Sequence, residues 1–259
     1  MTDRSGGPTG PASHTGNDRG HTGDDGGQMG DNGGHTGDDG GHTGDDGESD
    51  APARAGVILA GGRSTRFGDA DKALADLAGV PMLRRVADRL ATVTDEIVVN
   101  CRADQRPAID EVVADVPGPA NVAVDEEPDL GPMAGIATGL AATDAAYAAV
   151  VACDMPFVDP DFVAYCFERA VGHDGAVPRR ADGWYQTTQA VYRTEPMRAA
   201  CERALDRGER KILAPLEQLE YVVVTEAEID RHASQRTFEN CNTREEFVAA
   251  IDHFRHEGR

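Results

Sequence analysis

A short apolar run beginning at Val57 opens directly into a glycine-rich turn and is followed by a lysine. Residues 57–68 read VILAGGRSTRFG, and Asp71 and Lys72 come three and four residues further on. Glycine has no Cβ, so a ligand can approach this backbone closely, and successive N–H groups can converge on phosphate oxygens. Of the 25 basic side chains in the protein, only Lys72 and Lys211 are lysines. A flexible point charge kept at this position indicates a site for nucleotide phosphates.

The turn matches neither of the two commonest phosphate-binding loops. The pattern G-x-x-x-x-G-K-[ST] is absent because Lys72 lies four residues after Gly68, and G-x-G-x-x-G is absent because Gly61 and Gly62 are adjacent. P-loop NTPases and Rossmann dehydrogenases are therefore not supported. Taken alone, the pattern also fits an ordinary strand-to-helix turn with arginines on its surface.

The first fifty residues differ sharply in composition from the rest. Residues 14–48 are five seven-residue units in one register, HTGNDRG, HTGDDGG, QMGDNGG, HTGDDGG and HTGDDGE. They contain almost no apolar side chain, so they cannot bury enough surface to offset their chain entropy. We expect residues 1–50 to form a disordered tail and residues 51–259 to form one folded domain. The histidines of the tail suit weak Ni²⁺ or Zn²⁺ binding, although a solubilising tail has the same composition.

Charge and hydropathy exclude several classes of protein. The net charge is −21, of which residues 1–50 carry −9 and residues 51–259 carry −12. A nucleic-acid-binding protein would show a basic stripe instead, and no apolar run approaches the roughly 18–20 residues of a membrane span. The tail also lacks the apolar segment of a signal peptide. We expect a cytoplasmic protein that binds neither nucleic acid nor membrane.

Residue usage also predicts the conditions under which the protein works. Abundant Asp and Glu with almost no Lys indicate a halophilic, salt-requiring protein, because the Debye length falls to about 3 Å at 1 M salt and self-repulsion is then screened. Five cysteines without a C-x-x-C pair predict free thiols rather than disulfides or a zinc site. We expect Cys101, Cys153 and Cys241 to pack as small hydrophobic residues and not to act as nucleophiles.

Short apolar runs alternate with helix-like segments along residues 51–259. The patterns predict strands at 56–60, 96–100, 121–124, 147–153, 175–177, 187–192 and 221–224, and helices at 81–91, 107–114, 132–142, 160–170, 195–207, 211–219 and 244–254. This alternation predicts an α/β fold with a doubly wound, mostly parallel sheet. Ligands bind such sheets beyond the carboxyl ends of the strands. The polar or small residues that fall there are Gly61, Gly62, Asn100, Asp125 and Asp154.

Two of these residues are carboxylates that directly follow apolar runs. Asp154 lies in CDMPF and Asp125 in VDEEP, shortly before the small-residue loop LGPMAG at 130–135. Mg²⁺ prefers one or two carboxylates together with phosphate oxygens and water, so Asp154 is a candidate metal ligand. A capping aspartate before a proline-containing turn is the alternative interpretation of Asp154. A plain helix start, with Pro132 at its first position, is the alternative for the loop.

Together these segments resemble the molybdenum cofactor guanylyltransferase family, the MobA-type branch of the MobA-like nucleotidyltransferases. The resemblance is carried by LAGGRSTRFGDADKAL (59–74), VVN (98–100), VD…DLGPMAGI (124–136), VACDMPF (151–157) and NCNTREEF (240–247). It spans residues 55–251 and implies a Rossmann-like nucleotidyltransferase fold.

The resemblance also implies roles for individual residues. Backbone groups of Leu59, Ala60, Gly61 and the neighbouring Gly62 would contact the nucleotide. Lys72 would bind its phosphates, helped by Arg66 as a further clamp. The other implied positions are Asn100 and Asp125 in the nucleotide pocket, Asp154 as Mg²⁺ ligand, and Asn240 and Asn242 on the floor of the active site.

The implied reaction transfers GMP from GTP to the terminal phosphate of molybdopterin or Mo-molybdopterin, with Mg²⁺, and releases pyrophosphate. Other cofactor-assembly proteins or a recipient molybdoenzyme are implied partners. Two alternatives stay open. One is a related transferase that uses CTP or another phosphorylated acceptor. The other is a non-catalytic nucleotide-binding protein that takes part in cofactor assembly.

Overall fold

The computed structural model describes residues 52–62, 71–127 and 130–257. It contains nine strands: β1 Arg54–Leu59, β2 Asp76–Leu77, β3 Val80–Pro81, β4 Glu96–Cys101, β5 Ala120–Val124, β6 Tyr147–Ala152, β7 Gly175–Pro178, β8 Gln189–Arg193 and β9 Tyr221–Val224. The α-helices are α1 Met82–Leu90, α2 Arg106–Val113, α3 Pro132–Ala141, α4 Pro160–Ala170, α5 Thr194–Asp206, α6 Glu226–His232 and α7 Arg244–Glu257. The expected tail, residues 1–50, and the proposed clamp Arg66 lie outside the described residues.

Seven strands form one sheet in the order β5-β4-β1-β6-β8-β7-β9. The pairs β5–β4, β4–β1, β1–β6 and β7–β9 are parallel, whereas β8 is antiparallel to both β6 and β7. Because β8 runs antiparallel to both of its neighbours, β7 and β6 run in the same direction. The carboxyl ends of every strand of this sheet except β8 therefore lie at one edge, and β8 begins at that edge.

Helices cover both faces of the sheet, as the doubly wound prediction requires. Along β1, Val57 packs on the face covered by α3 and α5, and Ile58 packs on the face covered by α1, α2 and α4. Both side chains are fully buried. Successive side chains of a strand point to opposite faces, so a strand buried on both faces must be apolar without interruption. The predicted fold class is confirmed.

A small two-stranded hairpin lies outside the main sheet and supports the C-terminal helix. β2 and β3 are joined by Ala78 (φ 57°) and Gly79 (φ 87°), the two positive φ angles that a tight hairpin turn requires. Leu77 of this hairpin packs with Phe254 of α7 and with Phe157, which follows β6. The cluster also contains Cys241, which precedes α7, so it packs α7 and the segment before it against the hairpin and the chain that follows β6.

Some sequence expectations are wrong in detail. The sequence pattern predicts a helix over residues 211–219, but these residues form a turn and a short 3₁₀ helix at Pro215–Gln218. Pro215 has no N–H to donate to the carbonyl of Lys211, and that carbonyl instead accepts from Ala214 N at 2.9 Å. The hairpin and α6 were not expected, although α6 begins with a capping box formed by Thr225 and Glu228. Within the described residues, no helix is long and apolar enough to cross a membrane.

Candidate active site

A cavity of about 580 Å³ opens at the edge of the sheet where the parallel strands end. Most of the residues singled out from the sequence line it: Leu59, Ala60, Gly61, Gly62, Lys72, Asn100, Asp125, Asp154 and Asn242. They come from separate segments of the chain. Their convergence follows from the strand order, because β1 lies between β4 and β6 and all three strands end at this edge.

Lys72 is fixed by two side chains that come from distant parts of the chain. Its Nζ lies 2.7 Å from Oδ2 of Asp154 and donates a second 2.7 Å hydrogen bond to Oδ1 of Asn242. Only 11% of the Lys72 side chain is exposed, so its charge requires such partners. Asp71 begins the short 3₁₀ helix that carries Lys72 by accepting from Ala73 N at 3.0 Å. The ammonium is therefore held at a defined position in the cavity wall.

Asn242 is positioned by the start of α7. The amide of Cys241 donates to the carbonyl of Asp154 at 2.9 Å. The carboxylate of Glu246 accepts from the amides of Asn242 and Thr243 at 2.7 and 2.8 Å. The bond from the Thr243 amide, followed by the bond from Asn242, holds the pKa of Glu246 below its ordinary value. The capped start of α7 thus places the side-chain amide oxygen of Asn242 against Nζ of Lys72.

Two residues that the sequence analysis missed shape the glycine turn after β1. Gln105 Nε2 donates to the carbonyl of Ala60 at 2.9 Å, and Arg102 Nη1 donates to the carbonyls of Gly61 and Gly62 at 3.0 and 3.1 Å. In a trans peptide the N–H points opposite to the C=O. The N–H groups of Gly61 and Gly62 donate to no described residue. This arrangement leaves two amides available to an anion.

A sequence signal for these two residues did exist. Arg102 and Gln105 follow β4 directly, at the edge where ligands of such sheets bind, and Gln105 is only 3% exposed. Gln105 Nε2 also donates to Oδ2 of Asp71 at 2.6 Å and so joins the glycine turn to the segment that carries Lys72. The signal in the sequence is a long polar side chain that comes just after a predicted strand. Such a side chain lies at the edge of the sheet where ligands bind.

Asn100 and Asp125 form a polar pair in the cavity wall beside the glycine turn. Asn100 Nδ2 donates to Oδ1 of Asp125 at 2.6 Å, and Asn100 is 1% exposed. A Cβ at Gly135 would collide with Oδ1 of Asn100, and a Cβ at Gly61 would lie 2.8 Å from Oδ2 of Asp125. Both glycines are thus required by the close approach of this pair.

The helix α3 begins inside the cavity wall. Its N-cap, Gly131, has φ 87°, a conformation that favours glycine, and Pro132 occupies the first helical position. Gly131, Pro132, Ala134 and Gly135 all line the cavity. The first turn of a helix presents unpaired N–H groups and a partial positive charge, and both favour an anion.

Two other expectations fall differently. Asn240 lies outside this cavity and lines a smaller one of about 180 Å³, with Phe157 and Arg236. Cys153 does line the main cavity, but burial raises the pKa of its thiol, followed by the nearby charge of Asp154. Burial likewise raises the pKa of Cys101 to about 11 and that of Cys241 to about 12. Thiols with raised pKa values are poor nucleophiles and suit packing.

The cavity combines groups that favour an anion with several carboxylates. The fixed ammonium of Lys72, two glycine amides and a helix start favour phosphate oxygens, and the cavity is also lined by the carboxylates of Asp71, Asp125, Glu127 and Asp154. No cluster of three or more His, Cys, Asp or Glu side chains that could hold a metal ion occurs among residues 52–62, 71–127 and 130–257. A doubly wound sheet with such a cavity at its carboxyl edge defines a nucleotide-binding α/β protein.

Comparison with known proteins identifies the family. The family model described as the MobA-like NTP transferase domain matches residues 56–221. The chain therefore belongs to the MobA-like NTP transferase family. The matched residues run from β1 to β9 and contain most of the cavity wall, including Lys72, Asn100, Asp125 and Asp154.

Similar proteins carry consistent names. A probable molybdenum cofactor guanylyltransferase of Natronomonas pharaonis is 50% identical over 198 residues, which cover 76% of this chain and 96% of the relative. A protein of the same name from Haloferax mediterranei is 37% identical over 190 residues, which cover 73% of this chain and 89% of the relative. The structure of molybdopterin-guanine dinucleotide biosynthesis protein A from Archaeoglobus fulgidus aligns with a TM-score of 0.65 at 23% identity, covering 78% and 99% of the two chains. At 23% identity, this structural similarity shows that the two proteins share a fold.

Proposed function

We propose that this protein transfers GMP from GTP to the terminal phosphate of molybdopterin or Mo-molybdopterin and releases pyrophosphate. The observation that carries the proposal is the Lys72 ammonium, fixed in the cavity wall by Asp154 and Asn242 at 2.7 Å each. The names of the relatives at 50% and 37% identity supply the acceptor and the base. The family membership supplies the reaction type.

The phosphates of GTP would lie between Lys72 and the amides of Gly61 and Gly62. A phosphate nucleophile is already an anion, so the site needs no strong general base. The reaction instead requires that two polyanions be held in line and that the growing negative charge be neutralised. A positioned ammonium and preoriented amides do this without reorganising during the reaction.

Asp154 fits the role of Mg²⁺ ligand. Its Oδ2 bonds to Lys72, and its Oδ1 accepts no hydrogen bond from any described residue. A single protein carboxylate is sufficient where substrate phosphates and water complete the Mg²⁺ sphere. Bound there, Mg²⁺ would supply charge neutralisation at the phosphates. Lys72 would keep the carboxylate turned toward the cavity.

The guanosine would lie against Asn100, Asp125 and the first turn of α3. Gly131 and Gly135 place no side chain in this part of the cavity, so a ribose or base can approach the backbone. Asp125 Oδ2 faces Gly61 and is a hydrogen-bond acceptor for a ribose hydroxyl or a base N–H group. Asn100 orients Asp125 through its 2.6 Å bond.

GTP and molybdopterin are the proposed substrates, and other assembly proteins or a recipient molybdoenzyme are the proposed partners. The proposed location is the cytoplasm, where nucleotide and cofactor precursor are available. Arg66 is proposed as an additional phosphate clamp, although it lies outside the described residues. The high aspartate and glutamate content supports a salt-requiring protein.

The experiment is pyrophosphate release in molar KCl with Mg²⁺ and molybdopterin, comparing GTP, CTP, ATP and UTP. Release that depends on both GTP and molybdopterin is expected. A preference for CTP would assign the protein to cytidylyl transfer. Binding of GTP without pyrophosphate release, in protein that is folded, would favour the non-catalytic alternative.

A further inference from the structure

The loop between β7 and β8 presents a tryptophan to solvent at the edge of the sheet where the candidate active site lies. Trp184 is 68% exposed, more than any other large hydrophobic side chain described. It is also the only tryptophan in the chain. Exposing an indole forgoes the burial of a large apolar surface, and Trp in such a position commonly marks a binding contact.

The topology places this loop beside the cavity. β7 is parallel to β6, so its carboxyl end, where the loop begins, lies at the same edge as Asp154. The loop ends at Thr188, which lines the cavity and whose carbonyl accepts from Ala152 N at 3.0 Å. Trp184 precedes Thr188 by four residues, and a chain of four residues spans at most about 14 Å from one Cα atom to the other. Trp184 therefore lies within that distance of the cavity wall, on the side away from the glycine turn.

The loop is held by hydrogen bonds within itself and to the start of α6, although its tryptophan is exposed. Arg180 N donates to the carbonyl of Trp184 at 3.1 Å, and Gly183 N donates to the carbonyl of Arg180 at 2.8 Å. Trp184 N donates to Oδ1 of Asp182 at 3.0 Å, and Ala181 N donates to Oε2 of Glu226 at 3.0 Å. A turn with this many bonds holds its backbone at a fixed position, so binding a ligand there orders little that is not already ordered.

The loop carries two arginines in an acidic domain. Arg179 and Arg180 lie at its start and Asp182 lies between them and Trp184, whereas residues 51–259 together carry −12. The guanidinium of Arg179 lies 5.3 Å from the centre of the Tyr185 ring, and its Nε donates to the carbonyl of Gly183 at 3.1 Å. Nε of Arg180 is buried and has no hydrogen-bond partner among the described residues. Arg180 as a whole is only partly buried, so its guanidinium group is a candidate hydrogen-bond donor to a bound ligand.

We propose that Trp184 and Arg180 form the acceptor subsite, in which the indole stacks on the flat heterocycle of molybdopterin and Arg180 contacts a polar or anionic group of the same molecule. This inference rests on the proposed function, because it assumes an acceptor with a planar ring system and a phosphate. The acceptor phosphate would then point toward Thr188 and the Lys72 side of the cavity, where the nucleotide phosphates lie.

The single tryptophan makes this subsite directly observable without turnover. Fluorescence excited at the indole band should be quenched saturably by molybdopterin and changed little by Mg²⁺ and GTP alone. N-acetyltryptophanamide in the same titration corrects for light absorbed by the pterin. Saturable quenching by GTP alone, with none by molybdopterin, would overturn the assignment.

Kinetics of variants provide the second test. Trp184→Ala should raise the KM for molybdopterin about tenfold, which is the size expected for one lost stacking contact, and should leave the KM for GTP unchanged. Trp184→Phe keeps an aromatic face and should retain most of the affinity. Val248→Ala, at another exposed apolar residue on α7, is the matched control and should change neither constant.

The outcomes separate this inference from the proposed function. If the wild-type protein transfers no GMP but molybdopterin still quenches Trp184 saturably, the proposed reaction fails and the subsite stands. If GMP transfer is normal and Trp184→Ala leaves the KM for molybdopterin unchanged, the subsite is overturned. It is overturned equally if Trp184→Ala impairs only delivery of the finished cofactor to an apo-molybdoenzyme, because the indole would then contact a protein.

Discussion

Lys72 and Asn242 are 170 residues apart in the chain, yet Nζ of Lys72 donates a 2.7 Å hydrogen bond to Oδ1 of Asn242. The bond ties the start of the C-terminal helix α7 to the segment that follows the glycine turn. Through Cys241, whose amide donates to the carbonyl of Asp154, the same helix start is also tied to the end of β6. Three distant segments therefore share one polar junction in the cavity wall.

Removal of the Lys72 charge should abolish most of the activity. Lys72→Ala is expected to lower kcat/KM for GTP by roughly 10²–10³, because one preoriented electrostatic group is lost. Lys72→Arg should restore little, since a planar guanidinium does not fit between Asp154 and Asn242 as an ammonium does. Steady-state pyrophosphate release measures both variants. Arg198→Ala, in an exposed ion-pair cluster on α5, is the control and should behave like the wild type. Near-normal turnover of Lys72→Ala would show that Lys72 takes no part in the mechanism.

Neutralising Asp154 should remove the response to Mg²⁺ while the fold persists. In Asp154→Asn the ligand charge is gone, but the amide oxygen can still accept from Lys72. Activity is therefore expected to fall to background at every Mg²⁺ concentration, with an unchanged circular dichroism spectrum. The exposed Asp252→Asn on α7 is the comparison. An unaltered Mg²⁺ titration curve for Asp154→Asn would contradict the assignment of Asp154 as ligand.

Two glycines of α3 offer a matched pair of substitutions. A Cβ at Gly135 would strike the Asn100 amide in the cavity wall, whereas a Cβ at Gly139 would lie 2.5 Å from Cγ1 of Val57 in the core. Both Gly→Ala changes should destabilise the protein by about 1–3 kcal/mol through overpacking. Only Gly135→Ala should also raise the KM for GTP, by roughly tenfold. Chemical denaturation and steady-state kinetics measure the two effects, and equal KM values in the two variants would argue against nucleotide contact at Asn100.

Stability should fall in acid through Glu228. Burial alone would raise the pKa of this carboxyl, but hydrogen bonds from the hydroxyl and amide of Thr225, then from the Tyr165 hydroxyl, and the charge of Arg169 lower it to about 2 from an ordinary 4.5. Because the folded-state pKa is depressed, the stabilisation is complete above the ordinary pKa and is lost as the pH falls from there toward the folded-state value. It is on the order of 1–3 kcal/mol.

Comparison with Glu228→Gln tests this assignment. The difference in unfolding free energy between wild type and Glu228→Gln should be largest above about pH 5 and should shrink toward about pH 2. Glu217→Gln, at an exposed position of the 3₁₀ helix, should show no such trend. A difference that does not vary with pH would mean that Glu228 contributes through packing alone.

The acidic composition predicts a dependence on salt. Residues 51–259 carry a net charge of −12, and self-repulsion among these charges is screened in molar KCl. Thermal unfolding followed by circular dichroism should therefore shift to higher temperature as KCl rises from dilute buffer to about 2 M. Full native signal and an unchanged midpoint in dilute buffer would rule out a salt requirement.

The elements that could be predicted are those with a strong local pattern. The bounds predicted for β9 and α4 match the structure, because β9 is a short continuous apolar run and α4 is an amphipathic segment that begins at Pro160, with Asp159 as its N-cap. The antiparallel direction of β8 could not be predicted, since an apolar strand has the same composition in either direction. The leucine spacing of residues 211–219 predicts a helix, but Pro215 interrupts the hydrogen bonds of a longer helix and leaves a 3₁₀ turn at Pro215–Gln218.

The sequence by itself determined which residues end the strands, and hence that Asn100, Asp125, Asp154 and the glycine turn would meet at one edge of a parallel sheet. It did so because the pattern of apolar side chains that marks a strand or a helix depends only on residues close together in the chain. Only the tertiary structure decided that Asn242 would bond Lys72 while Asn240 would line a different cavity, and that Arg102 and Gln105 would bond the carbonyls of the glycine turn. These contacts depend on strand order and on how α7 packs against the hairpin, and no local pattern of residues encodes either.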